Sequence, residues 1–251
     1  MNRSDTGRAV RIIGPGRAGG AFATALRSVG WSVELVERHA PVGDAAVGVD
    51  LLLITTPDAV IADVAAAVDS GDAVVAHAAG SLGLDVLTGH SRVAAVHPLI
   101  SLPDAEIGAE RLLAKGWFAI AGDPIAAELV ADVGGRAVTV ADEDRAIYHG
   151  AASIAAGHVV ALLGQVERLA ASIGVPLDAY LDLAQGALDN VRALGPRAAL
   201  TGPAARDDQA TIERHRLALP ADELATYERL CTEARRLMTG PEGGQIPDPA
   251  S

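Results

Sequence analysis

The sequence predicts an open, mostly parallel α/β sheet followed by an all-helical region, with the change near residue 142. Three observations carry this. Up to residue 141, short β-like apolar runs alternate with helix-like runs, which calls for crossover connections between parallel strands. Those β-like runs are continuously apolar rather than alternating, as expected of strands covered on both faces. Beyond Asp142, no strand-like run occurs before Met238.

In chain order, Ala9–Ile13 is a compact apolar run that ends at Gly14, and Ala18–Val29 has helical spacing and stops at Gly30. Ser32–Val36 and Asp50–Ile54 are the second and third strands. The Pro/Gly-broken stretch His39–Val49 between them allows only a reduced crossover. Asp58–Val68 reads as a helix, with Thr56 or Asp58 as its N-cap. Ala73–Ala76, Val93–Val96, Trp117–Ala121 and Ala137–Val140 supply further strands. A long helix then runs from an N-cap at Asp142 to Ile173, where Gly174 and Pro176 punctuate its end. Leu177–Ala193, Ala205–Ala218 and Ala221–Met238 follow as helices. The expected domains are therefore 1–141, 142–238 and a disordered Pro/Gly-rich tail, 239–251.

Composition narrows the function. The 251 residues are 50% hydrophobic but only 3% aromatic, and the net charge is −12. Few aromatics and a strong negative charge argue against nucleic acid as a partner. A single cysteine, Cys231, excludes an intrachain disulfide and a Cys-based zinc site. No His-x₃-His pattern occurs, so no metal is expected. The longest uncharged stretch, Ala146–Val166, is interrupted by Tyr148, His149, Ser153, His158 and glycines, and no segment is expected to cross a membrane. Met1–Arg8 lacks the apolar core of a secretion signal, which leaves the cytoplasm as the expected location.

The first strand runs directly into Gly14-Pro15-Gly16-Arg17-Ala18-Gly19, and a helix follows. This G-x-G-x-x-G pattern in its strand–turn–helix context predicts a Rossmann-type dinucleotide site. Gly14 permits the turn, Gly16 leaves room for a pyrophosphate, and Gly19 lets helix and strand pack closely. At the end of the second strand, Glu37 would accept a ribose hydroxyl, whereas Arg38 and His39 would hold the additional phosphate of NADP. NADP is the expected cofactor, with NAD open. Thr55-Thr56-Pro57 ends the third strand on the same edge and is expected to line the cofactor. His77 and His97 end the next two strands.

In the long helix, Gly150, Gly157 and Gly164 are spaced by seven and fall on one face of a straight α-helix. On that geometry Ser153 lies about one turn from His149, and His158 lies about 180° from His149. The two histidines then cannot share a site. Downstream, Leu188-Asp189-Asn190 and Thr201-Gly202-Pro203 precede Arg206-Asp207-Asp208. Arg206 suits a substrate carboxylate; equally, Asp207 and Asp208 suit a helix start.

The pieces Gly14–Gly19, His97-Pro98-Leu99, Tyr148-His149, Leu188-Asp189-Asn190, Ala199–Pro203, Arg206…Asp208 and His215 resemble, in this order, a family with a Rossmann-like domain followed by a DUF2520 domain. That family is similar to the 6-phosphogluconate and pyrroline-carboxylate dehydrogenase group, and some members are similar to an alternative ketopantoate reductase. The resemblance implies NADPH-dependent reduction of a small 2-oxo acid, with 2-dehydropantoate to pantoate as the leading case. It implies His149 as proton donor, Ser153 and Asn190 as groups that position the carbonyl, and His97, Thr201, Gly202, Pro203 and Arg206 as the substrate site. Two departures stand out: Gly157 replaces a usual asparagine, and Asp207 replaces a usual glycine. The first leaves room for a dinucleotide-binding protein with a decayed site. A third reading is C=N reduction of the pyrroline-carboxylate type. The long, small-residue helix exposes more surface than a helical domain of about 100 residues buries, so a homodimer is expected.

Overall fold

A computed structural model describes residues 7–240. The chain divides into two compact units, one ending at His158 and the other beginning at Val159. The first therefore retains the opening turns of the long helix, which the sequence reading assigned to the region from 142 onward. Most of the expected tail, from residue 241 on, lies outside the described residues.

The first unit is built on a seven-stranded sheet of order β2-β1-β3-β4-β5-β6-β7. The strands are β1 (Ala9–Ile13), β2 (Ser32–Val36), β3 (Leu51–Ile54), β4 (Val74–His77), β5 (Val93–Pro98), β6 (Trp117–Gly122) and β7 (Arg136–Thr139). All neighbours are parallel except β5 and β6. Helices α1 (Arg17–Ser28), α2 (Ile61–Ala66), α3 (Ala105–Leu112) and α4 (Ile125–Asp132) supply the connections, and the short segment after β2 forms only turns.

The apolar runs explain the layering. Leu51 and Leu53 join one core cluster with Phe22, Leu26, Phe118 and Leu129. Leu52 and Ile54 point the other way, into a second cluster with Ile61, Ala65 and Leu87. Period-2 geometry thus buries consecutive residues on opposite faces. Ile13 pairs with both Val36 and Ile54, so the segments that follow β1, β2 and β3 emerge side by side. The strand order reverses at β1, which creates the crevice where open α/β sheets bind ligands.

Three local expectations change. The segment from Asp58 begins as a 3₁₀ turn after Pro57, and no side chain caps it; Asp58 instead accepts a hydrogen bond from Ser81 Oγ at 3.0 Å. Asp142 does not cap its helix either, because its carboxylate accepts from the Leu84 amide at 2.9 Å. The long helix is not a straight α-helix. It comprises a 3₁₀ turn (Asp142–Asp144), α5 (Arg145–Ser153), a π turn (Ile154–His158) and α6 (Val159–Ser172). One further correction follows from its composition. The 31-residue stretch Asp142–Ser172 has a mean hydropathy of 1.5 over its most apolar part and is long and apolar enough to cross a membrane. The histidines, serine and glycines that interrupt it are outweighed by alanine, isoleucine, leucine and valine.

The second unit continues with α6, α7 (Leu177–Leu194), α8 (Pro196–Ala199), α9 (Gln209–Ala218) and α10 (Ala221–Thr239). Arg168 on α6 grips Glu223 on α10 with two hydrogen bonds, at 2.6 and 3.0 Å. Gln165 Nε2 donates to the Glu223 carbonyl at 2.9 Å. Helix α9 starts at Gln209 rather than Ala205, because Asp207 takes a left-handed φ of 53° and Asp208 caps the helix. The apolar interior of this unit is thin: Ala170, Ile212 and Cys231 are its buried hydrophobics among the described residues.

Candidate functional site

Two of the clefts on the first unit are lined by expected site residues. The larger, of ≈ 930 Å³, lies over the β1–α1 turn. Its walls include Gly14, Pro15, Gly16, Arg17 and Ala18 from the turn, Glu37, Arg38 and His39 after β2, and Thr55, Thr56 and Pro57 after β3. The structure thus gathers the residues expected around a dinucleotide, apart from Gly19, which is buried beneath them.

Each glycine has a distinct reason to be there. Gly14 has φ 107°, a conformation that L side chains rarely adopt. A Cβ on Gly19 would lie 2.0 Å from the Gly14 carbonyl oxygen and 2.6 Å from Thr55 Oγ1. A Cβ on Gly16 would meet no heavy atom within 4 Å. Gly16 is therefore not demanded by packing, and the free space over it faces the start of α1. No side chain caps that helix, and its first turn holds no acidic residue. Unpaired N–H groups and the positive end of the helix dipole together favour an anion there. Thr55 Oγ1 is already committed to the Ile13 and Gly14 carbonyls, at 3.0 and 2.8 Å, whereas Thr56 Oγ1 is buried with no hydrogen-bond partner among the described residues. A glycine cradle, uncapped amides, an unused hydroxyl, and Arg17 and Arg38 on the walls form a donor set that fits a phosphorylated dinucleotide.

The second cleft, of ≈ 550 Å³, is lined by His97 to Ser101 after β5, and by His149, Ala152, Ser153 and Ala155 to His158 along α5 and the π turn. Leu102 lines the first cleft and Ser101 the second, so the two border each other at this point. His97, His149 and Ser153 thus share a cleft. His158 shares it too, which corrects the expectation that it points away from His149. Nine residues at about 100° place it about 180° around, but a π turn accommodates an additional residue and sets the helix back by about 100°. The remaining offset is about 80°. The same shift breaks the common face expected of Gly150, Gly157 and Gly164. A Cβ at Gly150 or Gly157 would meet nothing within 4 Å, and at Gly164 only Arg168 Nη1 at 3.9 Å, so no close packing among the described residues explains them.

Behind the second cleft lies a polar cluster. His97 Nδ1 and the Tyr148 hydroxyl are 2.7 Å apart, and the rings of His97 and His149 stand edge to face with centroids 5.8 Å apart. A Cβ on Gly80 would come within 2.5 Å of His149 Cδ2 and 2.8 Å of His97 Nε2, so Gly80 is what lets the two imidazoles approach. Burial, His149 and Arg145 together hold the His97 pKa down to about 4. Burial raises the pKa of the Tyr148 phenol, opposed by Arg145. Arg145 is 1% exposed, and none of its guanidinium nitrogens has a hydrogen-bond partner among the described residues. His77 has a structural role. It accepts from the Ala79 amide through Nδ1 at 3.2 Å and so donates through Nε2 to the Gly83 carbonyl at 3.1 Å. Burial lowers its pKa, and it holds the loop that carries Gly80.

Sequence reasoning missed Arg145, Tyr148 and Gly80 as parts of this site. The available signal was spacing: Arg145, Tyr148 and His149 stand at i, i+3 and i+4, one face of a helix. The other expected residues belong to the second unit. Asn190 is exposed on α7, and Thr201, Gly202 and Pro203 precede the turn to α9. Arg206 is exposed and makes no hydrogen bond among the described residues. Asp208 caps α9, with its carboxylate accepting from the Thr211 amide at 3.0 Å and hydroxyl at 2.7 Å.

Comparison with known proteins agrees with this architecture. Residues 118–234, from strand β6 onward, match the family described as Domain of unknown function (DUF2520). No curated protein matches it. Among solved structures, a protein from Bacteroides fragilis described as a candidate NADP oxidoreductase is 21% identical, with a TM-score of 0.72 over 91% of this chain and 98% of that one. A protein from Thermotoga maritima is 23% identical, with a TM-score of 0.68 over 91% and 98%. A reductive aminase from Aspergillus terreus, solved with NADPH and ethyl-5-oxohexanoate, is 17% identical, with a TM-score of 0.68 over 91% and 94%. At these identities the likeness is one of fold.

Proposed function

We propose that this protein is an NADPH-dependent oxidoreductase that reduces a small 2-oxo acid, with 2-dehydropantoate as the first substrate to test. The observation that carries the cofactor half is the open space over Gly16 at an uncapped helix N-terminus. The bound dinucleotide would supply hydride to the carbonyl carbon. In this reading Arg38 and His39 hold the 2′-phosphate, and the turn Gly14–Gly19 with Thr55, Thr56 and Pro57 holds the rest of the cofactor. His149 gives a proton to the substrate oxygen, because an imidazole can hold or release a proton near neutrality. Ser153 and Asn190 position the carbonyl. Arg206, which makes no hydrogen bond among the described residues, holds the carboxylate alongside Thr201, Gly202 and Pro203. The cytoplasm is the proposed location.

A homodimer is part of the same reading. Val160, Ile173, Leu183, Leu188, Leu194 and Leu217 are all more than half exposed, and covering such surface is a common task of a second subunit. The helical region from 142 to 238 would then serve both substrate and dimer contacts. Light scattering that shows a monomer at micromolar concentration contradicts the dimer.

The fold likeness to a reductive aminase solved with NADPH favours a second reading, reduction of a C=N bond. A substrate panel separates the readings: NADPH oxidation with 2-dehydropantoate and other 2-oxo acids alone supports the first. Oxidation only when a carbonyl compound and an amine are both present supports the second. Tight NADPH binding with no turnover on either panel supports the decayed-site alternative that Gly157 motivates.

A further inference from the structure

We propose that His97 is a neutral hydrogen-bond donor to the substrate oxygen, with its Nε2–H tautomer set by Tyr148 and the buried guanidinium of Arg145 opposing a second cation beside it. This rests on the reductase reading and adds two positioning residues, Tyr148 and Arg145, to it.

The tautomer follows from hydrogen-bond counting. His97 Nδ1 and the Tyr148 oxygen are 2.7 Å apart, so one of them donates. Tyr148 has no other hydrogen-bond partner among the described residues. Were His97 Nδ1 to carry the proton, the half-buried Tyr148 O–H would have no acceptor. With Tyr148 donating, Nδ1 is the acceptor and the ring proton sits on Nε2. That edge has no hydrogen-bond partner among the described residues, lies beside Gly80 and belongs to a ring that lines the second cleft.

The charge state follows from the surroundings. The groups that act electrostatically on His97 are Arg145 and His149 on α5, His77 on β4, and Asp58 in the turn before α2. Burial weighs most against a charge on His97, His149 comes next, and Arg145 adds a charge that is permanent. A guanidinium cannot shed its proton near neutrality, and a buried one with no partner projects its field with little screening. A second cation at His97 is therefore disfavoured, and two imidazolium rings with centroids 5.8 Å apart would repel. The pair is left with unequal tasks: His97 supplies a fixed neutral donor that polarises the oxygen, and His149 supplies the proton. Arg145 does not touch the substrate in this scheme. It acts through His97, which accounts for an arginine kept buried without an ion pair.

The test begins without any substrate. Nitrogen-15 spectra of ring-labelled protein, with His97 identified by loss of its signals in His97→Gln, should show a neutral Nε2–H ring that titrates far below an ordinary histidine. Tyr148→Phe should keep the ring neutral but leave a mixture of tautomers. Arg145→Met, close in length and without charge, should raise the His97 midpoint by about half a unit or more. An Nδ1–H ring in the unmodified protein overturns the proposal, as does a His97 midpoint indifferent to Arg145→Met. If Arg145→Met fails to fold, the tautomer of the unmodified protein and of Tyr148→Phe still decides. With a substrate in hand, His97→Gln should lower kcat at least about tenfold, and Tyr148→Phe should lower kcat with KM nearly constant. A normal kcat in His97→Gln refutes the catalytic part. Absence of turnover in the unmodified protein, with the expected tautomer present, instead counts against the reductase reading.

Discussion

Gly16 and Gly19 lie three residues apart in the same turn, and alanine at each should fail in a different way. At Gly19 the new Cβ would sit 2.0 Å from the Gly14 carbonyl oxygen. A relaxed carbon–oxygen contact is about 3.3 Å, so the β1–α1 turn must open by more than an ångström. Overpacking of this kind costs about 1–3 kcal/mol, and for a protein of this size that lowers Tm by about 2–12 °C. At Gly16 the backbone has φ −86°, which alanine adopts freely, and the Cβ would meet nothing within 4 Å. Stability should hold or rise by about 0.4–1 kcal/mol through the unfolded state. The Cβ would nevertheless occupy the room proposed for the diphosphate. Thermal unfolding with and without NADPH separates the two effects. Ligand at a hundred times its Kd stabilises by about 2.7 kcal/mol, or about 5–11 °C here. The unmodified protein should show that rise. Gly16→Ala should match it in Tm without ligand yet lose the rise, and Gly19→Ala should melt early and lose it too. A full NADPH-induced rise in Gly16→Ala refutes the placement of the diphosphate.

Further substitutions probe the rest of the site. Arg38→Ala should weaken NADPH binding by one to a few kcal/mol, on the order of a charge-assisted pair, with NADH nearly unaffected; equal losses in titration calorimetry contradict its assignment to the 2′-phosphate. Gly80→Ala should force His97 and His149 apart, lowering turnover while NADPH affinity stays within about twofold; unchanged turnover contradicts their close approach as a requirement. Stability should also fall with acid. The folded pKa of His97 is depressed from 6.5 to about 4, so the unfolded chain binds the additional proton between those values, and stability is lost as pH drops through that window. The loss is about 3 kcal/mol at full extent, and His97→Gln should flatten that part of a denaturation-versus-pH series. Asp208→Ala removes the cap of α9 and should lower the midpoint of chemical denaturation, and an unchanged midpoint contradicts the capping role.

The sheet was legible because its causes are local. Leu51–Ile54 are apolar at every position, and such a run is stable only when covered on both faces, which already implies helices on either side. Gly14, Gly16 and Gly19 could be assigned turn, clearance and packing roles from spacing alone. Side-chain caps were harder to read. Asp142 and Asp58 carry the chemistry of an N-cap, yet their carboxylates go to Leu84 and Ser81, distant partners that no local pattern announces. Gly80 was opaque for the same reason. Its neighbours in sequence suggest an ordinary loop, and its necessity appears only when β5 and α5 bring His97 and His149 against it.

The π turn is the feature on which the candidate site depends most, and it has no signature in composition. Ile154–His158 reads as unremarkable helix, so a uniform 100° per residue was the natural assumption, and under it His149 and His158 oppose each other. One accommodated residue turns opposition into adjacency and brings Ser153, Gly157 and both histidines to the cleft beside His97. A bulge of this kind forfeits regular hydrogen bonding and persists where something else holds it. Within the first unit the turn ends at the last residue, His158, so the bulge stands where the sheet-bearing unit gives way to the helical one. A cleft lined by such a bulge can be altered by one inserted or deleted residue without disturbing the strands or the β1–α1 turn. Under the proposed function, such separability would let substrate choice change in a few residues of one irregular helix while the turn between β1 and α1 stays as it is.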